Sequence, residues 1–363
     1  MKHNWEYKKL GEVCDIYQPK TISTTMLVEN GKYPVYGANG IIGKYDKYNH
    51  QEKELLMTCR GATCGSINVS QPYSWINGNA MVIHPLHDNI VFDFLKYQLM
   101  TLNLSCIVTG AAQPQITRQS LTPILIPLPP LPVQEQIVEE LDRLSLILEK
   151  KKQQIKELDS LAQSIFYDMF GDPIENEKGW EVKKLGEVGE IVTGSTPSTT
   201  DNTNWNGKIN WVTPAELSNQ LFYGATQRSL TEKGAKNLTL MPVGTVLLSS
   251  RAPIGKIAIT TQPMCCNQGF KNIICGEYLN NIFLYYYLLI TLENIKALGC
   301  GATFKEVSKK AIYSYETILP PLDLQQSFAK KIEAIEKQKE LINQSIKEVQ
   351  LLFDAKMDYY FGD

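Results

Sequence analysis

Histidine is scarce in this 363-residue chain: the four present, His3, His50, His84 and His87, all lie in its first quarter. The eight cysteines form no CxxC pair and keep no regular spacing with histidine, so no zinc knuckle is indicated and reduced thiols in a cytosolic protein are expected. No GxGxxG follows a strand, and GxxxxGK[ST], HExxH and GxSxG are missing too, which argues against nucleotide binding, metalloprotease and esterase chemistry. Long apolar runs are also lacking. The most apolar stretch, ILIPLPPLPV, is short and broken by prolines, and MKHNWEYKKLGEV holds no signal-peptide core, so a cytoplasmic protein without a membrane span is expected. Nor is there an excess of one charge: the net of −2 does not suit a protein that simply coats DNA.

What is present is an internal duplication. WEYKKLGEVCDI begins at Trp5 and WEVKKLGEVGEI at Trp180, identical at nine of twelve positions. LLMTCRG answers LLSSRA, which sets Arg60 against Arg251, 191 positions apart. TGAAQPQIT and CGATFKEVS keep that offset, and so do LPPLPVQEQ and LPPLDLQQS. FGD closes both copies. The early offset is 175, so the second copy holds about sixteen extra residues, assigned to a loop over STPSTTDNTNWNGKINW. One duplication of long units is not a solenoid.

After each Leu-Pro-Pro phrase, apolar residues recur in alternating steps of four and three. The first run holds Ile137, Leu141, Leu144, Leu148, Ile155, Leu158 and Ile165; the second holds Phe328, Ile332, Ile335, Ile342, Ile346, Val349 and Phe353. Lys151, Lys339 and Lys356 interrupt the pattern. A seven-residue period kept over about five heptads predicts a coiled-coil seam, with proline admitted only in the first turn. Each helix should have about 36 residues and a length of about 54 Å. A narrow stripe needs a partner, and each run is the natural partner of the other. Antiparallel pairing closes the duplication with a pseudo-two-fold axis.

The remaining segments alternate short apolar runs with glycine-bearing bends. ELLMTCRGATCGSINV and GTVLLSSRAPIGKIAIT read as hairpins, and helical pieces are expected near 90–102 and 281–298. Tyr285–Tyr287 read as core. The chain is therefore expected to be α+β: two similar globular domains, 1–132 and 180–320, separated by long helices at 133–170 and 321–363, with a linker at 171–179. Charge follows this division. Residues 1–132 carry 11 Lys and Arg against 9 Asp and Glu, and 180–320 carry 13 against 10. The stretches 133–179 and 321–363 are acidic, at 6 against 11 and 6 against 8.

With no catalytic constellation, and with all histidines in one copy, the chemistry left is that of polar side chains on bends of mildly basic domains. Arginine suits guanine, Asn and Gln suit adenine, and Lys or Thr suit phosphate. The candidates are Arg60, Thr63, Asn77, Asn79, Gln113, Gln115 and Arg118 in the first copy, and Arg251, Lys256, Asn267, Gln268, Lys271 and Lys305 in the second. Arg60 and Arg251 lead, because both copies place an arginine between an apolar strand and a glycine-bearing turn.

These motifs, in this order and twice over, resemble the specificity subunit of type I restriction–modification systems: W-E-x-K-K-L-G-E-V, R-[GA]-x-x-[GC], G-A-[AT], L-P-P-L-x-x-Q, the long helix and F-G-D. The resemblance spans essentially the whole chain. It implies two target recognition domains, each reading half of a split duplex-DNA site. It also implies two antiparallel helices that act as a ruler and as the docking surface for methyltransferase subunits, with nuclease–translocase restriction subunits joining them. No catalysis and no cofactor or metal of its own is implied. A 54 Å helix matches about 16 base pairs. Two other readings stand beside this one: a two-headed protein–protein scaffold that does not bind nucleic acid, and an enzyme of unrecognised type. A related methylation system with a fused nuclease would use the same kind of chain.

Overall fold

The computed structural model describes residues 5–110, 114–218, 220–251, 253–299 and 306–362. The chain folds as two units: Met1–Lys152 with Gln344–Asp363, and Gln153–Asn343. Each unit holds one globular head and half of each long helix.

In the first unit the opening strand Glu6–Lys9 pairs antiparallel with Leu125–Leu128, the strand that leads into the long helix. In the second, Val182–Lys184 pairs with Glu316–Ile318 in the same way. The repeated K-L-G-E-V is a one-turn helix in both copies, Leu10–Val13 and Leu185–Val188. Glu12 Oε2 accepts the Lys9 backbone N–H at 3.2 Å and Glu187 Oε2 that of Lys184 at 3.1 Å, which satisfies donors that the helix leaves free. The glycine is required by close approach: a Cβ at Gly11 would overlap the Thr122 side chain, and one at Gly186 the Tyr313 ring.

The first head has an antiparallel sheet ordered Cys14–Tyr17, Ala80–Pro85, Leu55–Thr58, Ile67–Val69. A second sheet is ordered Gly40–Tyr45, Tyr33–Gly37, Trp75–Ile76. The second head repeats this plan with additions. Its larger sheet is ordered Gly189–Val192, Asn272–Cys275, Val246–Leu248, Ile257–Thr260, Phe222–Tyr223. Its smaller one is ordered Arg228–Leu230, Trp205–Val212, Met264–Cys266. Both expected hairpins are present, and Gly65 and Gly255 close their bends at φ of 93° and 92°. One expectation is corrected: the stretch around NTNWNGKINW is not all loop, because Trp205–Val212 is a strand. Its Ile209 and Trp211 fall on one face, where they pack with Trp205, Leu230 and Cys265, and Asn210 falls on the other.

Helix α1 is Phe92–Thr101, and α2 is the first long helix, Leu131–Phe170. Helix α3 is Asn281–Ile290, and α4 is the second long helix, Leu322–Phe361. The helical stretch near 281–298 is interrupted at Thr291, whose hydroxyl donates to Tyr287 O at 2.9 Å before the chain resumes at Leu292–Ala297. The long helices have 40 residues each, so about 60 Å at 1.5 Å per residue.

Within both units α2 and α4 run antiparallel. In the first, Glu140 accepts from Lys356 Nζ at 2.7 Å and from the Tyr360 hydroxyl. In the second, Asp159 meets Lys339 Nζ at 2.8 Å, and Phe166 and Phe170 meet Phe328 edge to face. Burial opposes the charge of Lys339, yet Asp159 and Glu336 hold its ammonium above the usual lysine range. The polar interruptions at 339 and 356 are thus cross-helix ion pairs.

Each head is completed by the end of the other copy's helix. Phe361, from the second copy, packs on Phe94 of α1 with ring centres 5.4 Å apart. Phe170, from the first, packs on Phe283 of α3 at 4.8 Å. The tyrosines 285 to 287 are core, as expected.

The glutamine of each Leu-Pro-Pro phrase explains why that phrase recurs. Gln134 is fully buried; its Oε1 accepts the Val91 N–H at 2.9 Å, and its Nε2 donates to Asn89 O at 2.9 Å and Pro129 O at 2.8 Å. Gln325 does the same with Asn280 N, Tyr278 O and Pro320 O at 2.9, 3.1 and 2.8 Å. One amide therefore ties the start of a long helix to the start of its own head's helix. Replacing Gln134 or Gln325 by Ala should cost about 2–4 kcal/mol each, because buried backbone groups lose their partners. Thermal denaturation would show this as a clear fall in Tm.

Candidate nucleic-acid interface

In the first head, Arg60 follows strand Leu55–Thr58 and faces Gln115 in an isolated antiparallel bridge. Gly61 N–H donates to Pro114 O and Ile116 N–H to Cys59 O, both at 3.0 Å. The arginine bend and the strand-like segment 114–116 are thereby zipped together. The side chain of Arg60 is exposed, with no ion pair among the described residues. Thr63 and Asn79 are exposed beside it, and the Asn79 carbonyl accepts from the Cys59 thiol at 3.0 Å.

The second head repeats the arrangement, with Arg251 bridged to Glu306 and Val307 N–H donating to Ser250 O at 2.9 Å. Here the side chains differ. Arg251 Nε lies 2.9 Å from Glu306 Oε2, and Glu306 Oε1 lies 3.2 Å from Lys271 Nζ. Burial raises the Glu306 carboxyl, but hydrogen bonds from Lys271 and Arg251 outweigh it and hold the group below the usual glutamate range. Glutamine at 115 and methionine at 81 leave the first head without this triad.

The other candidates divide by burial. Asn77 is buried and its Oδ1 accepts the Ile22 N–H at 3.0 Å, while its own N–H donates to Tyr36 O. Asn267 is its counterpart, with N–H to Val212 O and Oδ1 accepting from Gly269 N–H at 2.9 Å. Both asparagines therefore shape turns. Lys271 is buried against Ser250 and Glu306. Lys256 is half-buried on the hairpin bend, where its backbone N–H meets Ser249 Oγ at 2.8 Å. Gln268 is exposed and accepts from the Thr196 hydroxyl at 2.7 Å. Arg118 begins a one-turn helix, 3.8 Å from Asp15. Gln113 and Lys305 lie outside the described residues.

Of the seam residues, Ile137, Leu141, Leu148, Phe328, Ile332 and Ile335 are buried. Leu144, Ile155, Leu158, Ile165, Ile342, Ile346, Val349 and Phe353 are half-buried.

Arg228 escaped the sequence reading because the first copy has no counterpart to single it out. Its guanidinium lies 3.6 Å from the centre of the Trp205 ring. Among the described residues no three His, Cys, Asp or Glu side chains come together as a possible metal site. No described helix is long and apolar enough to cross a membrane. Burial pushes the Cys14 and Cys266 thiols up to about 12, so neither is a nucleophile at neutral pH.

Two similar α+β heads on paired antiparallel helices, each with an arginine bend zipped to a second segment, define a two-headed recognition protein. The family model of the type I restriction modification DNA specificity domain matches residues 2–158 and 177–351. The chain belongs to this family of DNA-recognising, non-catalytic specificity subunits. The putative type I restriction enzyme MjaX specificity subunit of Methanocaldococcus jannaschii is 27% identical over 96% of this chain and 83% of its own length. The MjaIX specificity subunit of that organism is 39% identical, over 42% of this chain and 37% of its own length. A type I restriction–modification S subunit from M. genitalium shares the fold, with a TM-score of 0.63 at 16% identity over 99% of this chain and 96% of that one.

The Glu306 triad predicts a pH-dependent anchor. A depressed carboxyl stabilises above its unfolded pKa and stops doing so as pH falls through the folded value, so the anchor is present at neutrality and is lost only in acid, below the usual glutamate range. Glu306→Gln should speed hydrogen exchange of the Val307 amide at pH 7 relative to the parent, and the difference should vanish in acid.

Proposed function

We propose that this chain directs a type I restriction–modification assembly to a two-part site on duplex DNA. Residues 1–132 and 180–320 each read one half, through the bends that carry Arg60 and Arg251. The observation behind this reading is the duplicated arginine bend: both heads hold it against the same second segment by the same bridge, 191 positions apart. The exposed residues nearby, Thr63, Asn79 and Gln268, have the donors and acceptors suited to DNA. The net charge is too small for binding driven by phosphates alone, so partner subunits carry much of that task.

Residues 133–170 and 321–363 receive methyltransferase subunits, and restriction subunits join through them. Ile147, Leu341 and Leu351 support this, as large apolar side chains that remain exposed outside the seam. The length of the paired helices sets the unread gap of the target.

In the assembly with the methyltransferase, methylated positions mapped genome-wide should form a split motif. Arg60→Ala or Arg251→Ala should weaken cognate binding by about fivefold to a hundredfold and relax one half-site, with assembly intact. Seven residues added to each long helix at matched positions should lengthen the gap by about three base pairs. No sequence preference in a gel shift would favour a protein scaffold instead.

A further inference from the structure

We infer that Arg228 is a specificity-determining contact of the second head and presents its guanidinium to a guanine edge in the half-site read there. This rests on the DNA-reading function proposed above.

Arg228 opens strand Arg228–Leu230, directly opposite Trp211. Its guanidinium lies 3.6 Å from the Trp205 ring centre and 5.3 Å from that of Trp211. The two rings meet edge to face at 5.0 Å, and both tryptophans are buried. Their indole N–H groups are fixed as well: Trp205 Nε1 donates to Ser198 O at 3.0 Å and Trp211 Nε1 to Ser195 O at 3.2 Å. The platform is rigid, so the planar fork above it is oriented before any ligand arrives.

The fork itself is unspent. Arg228 is exposed, and among the described residues no carboxylate or other acceptor takes its N–H groups. Three other cations of this head contrast with it. Arg251 is held by Glu306, Lys271 is buried on the same carboxylate, and Lys233 lies 2.9 Å from Asp201. A stacked, unpaired guanidinium suits the O6/N7 acceptor pair of guanine in the major groove. A contact to phosphate alone would not need an oriented fork, since a lysine provides the charge.

Position supports the assignment. Loop 195–198 connects this platform to the exposed bend at Gln268, through the Thr196 hydroxyl at 2.7 Å. The strand that carries Trp211 also pairs with Met264–Cys266, which leads directly into Asn267 and Gln268. The platform, including Trp205 and Trp211, lies in the stretch of the second copy where the two repeats diverge in length. Two heads that differ here would read different half-sites.

The test uses the full chain assembled with the methyltransferase subunit, and a randomised duplex library from which the wild type selects its site. Arg228→Ala and Arg228→Gln are then measured on the selected site and on each single-base variant. Both should raise Kd about tenfold and make one G·C position of the second half-site degenerate, with the first half-site read as before. The glutamine keeps a flat polar group over Trp205, so the test survives if the alanine variant fails to fold. Unchanged affinity and an unchanged motif in a folded variant would overturn the assignment. A uniform loss over all sequences, with a shallower salt dependence, would also overturn it in favour of a phosphate contact. A wild-type assembly that selects no sequence would remove the DNA-reading function, and this inference with it.

Discussion

Neither long helix can bury its apolar stripe without the other, and that reciprocal need organises the rest of the molecule. Each stripe is too narrow to be satisfied by a sheet face, and an isolated helix of this kind gains little from propensity alone. Antiparallel pairing gives each stripe its complement and carries the end of one copy's helix to the head of the other. Phe361 then finishes the core around Phe94 and Tyr97, and Phe170 finishes the core around Phe283 and Phe328. The duplicated halves are therefore interlocked: each unit contains chain from both copies.

The heads are tied to this pair by small polar devices. A buried glutamine at the start of each long helix satisfies one backbone donor and two carbonyls that would otherwise be buried without partners. The strand before each long helix pairs with the strand that opens the head. Backbone pairing and one amide fix where the head begins, which leaves the bends farther along free to vary in side chain.

That freedom is visible in the arginine bends. The same backbone bridge occurs in both heads, but glutamine at 115 leaves Arg60 uncommitted, whereas Glu306 takes Arg251 and Lys271 together. One substitution on the facing segment changes an arginine from a free donor into part of an anchor. In the second head the free guanidinium lies instead on Trp205, in a sheet strand where a loop was expected.

The sequence by itself determined the duplication, the seven-residue stripes, the hairpins with their glycine bends and the family, because these are periodicities and spacings that lie along the chain. It also repeated Gln134 and Gln325, but not what they bond, since Asn89, Val91, Tyr278 and Asn280 lie tens of residues away. Only the tertiary structure decided that Asn77 and Lys271 are buried, that Arg251 is paired and Arg60 is not, and that Arg228 stands on two tryptophans. Burial and ion pairing depend on which distant segments are brought together, and no local pattern of residue types records that.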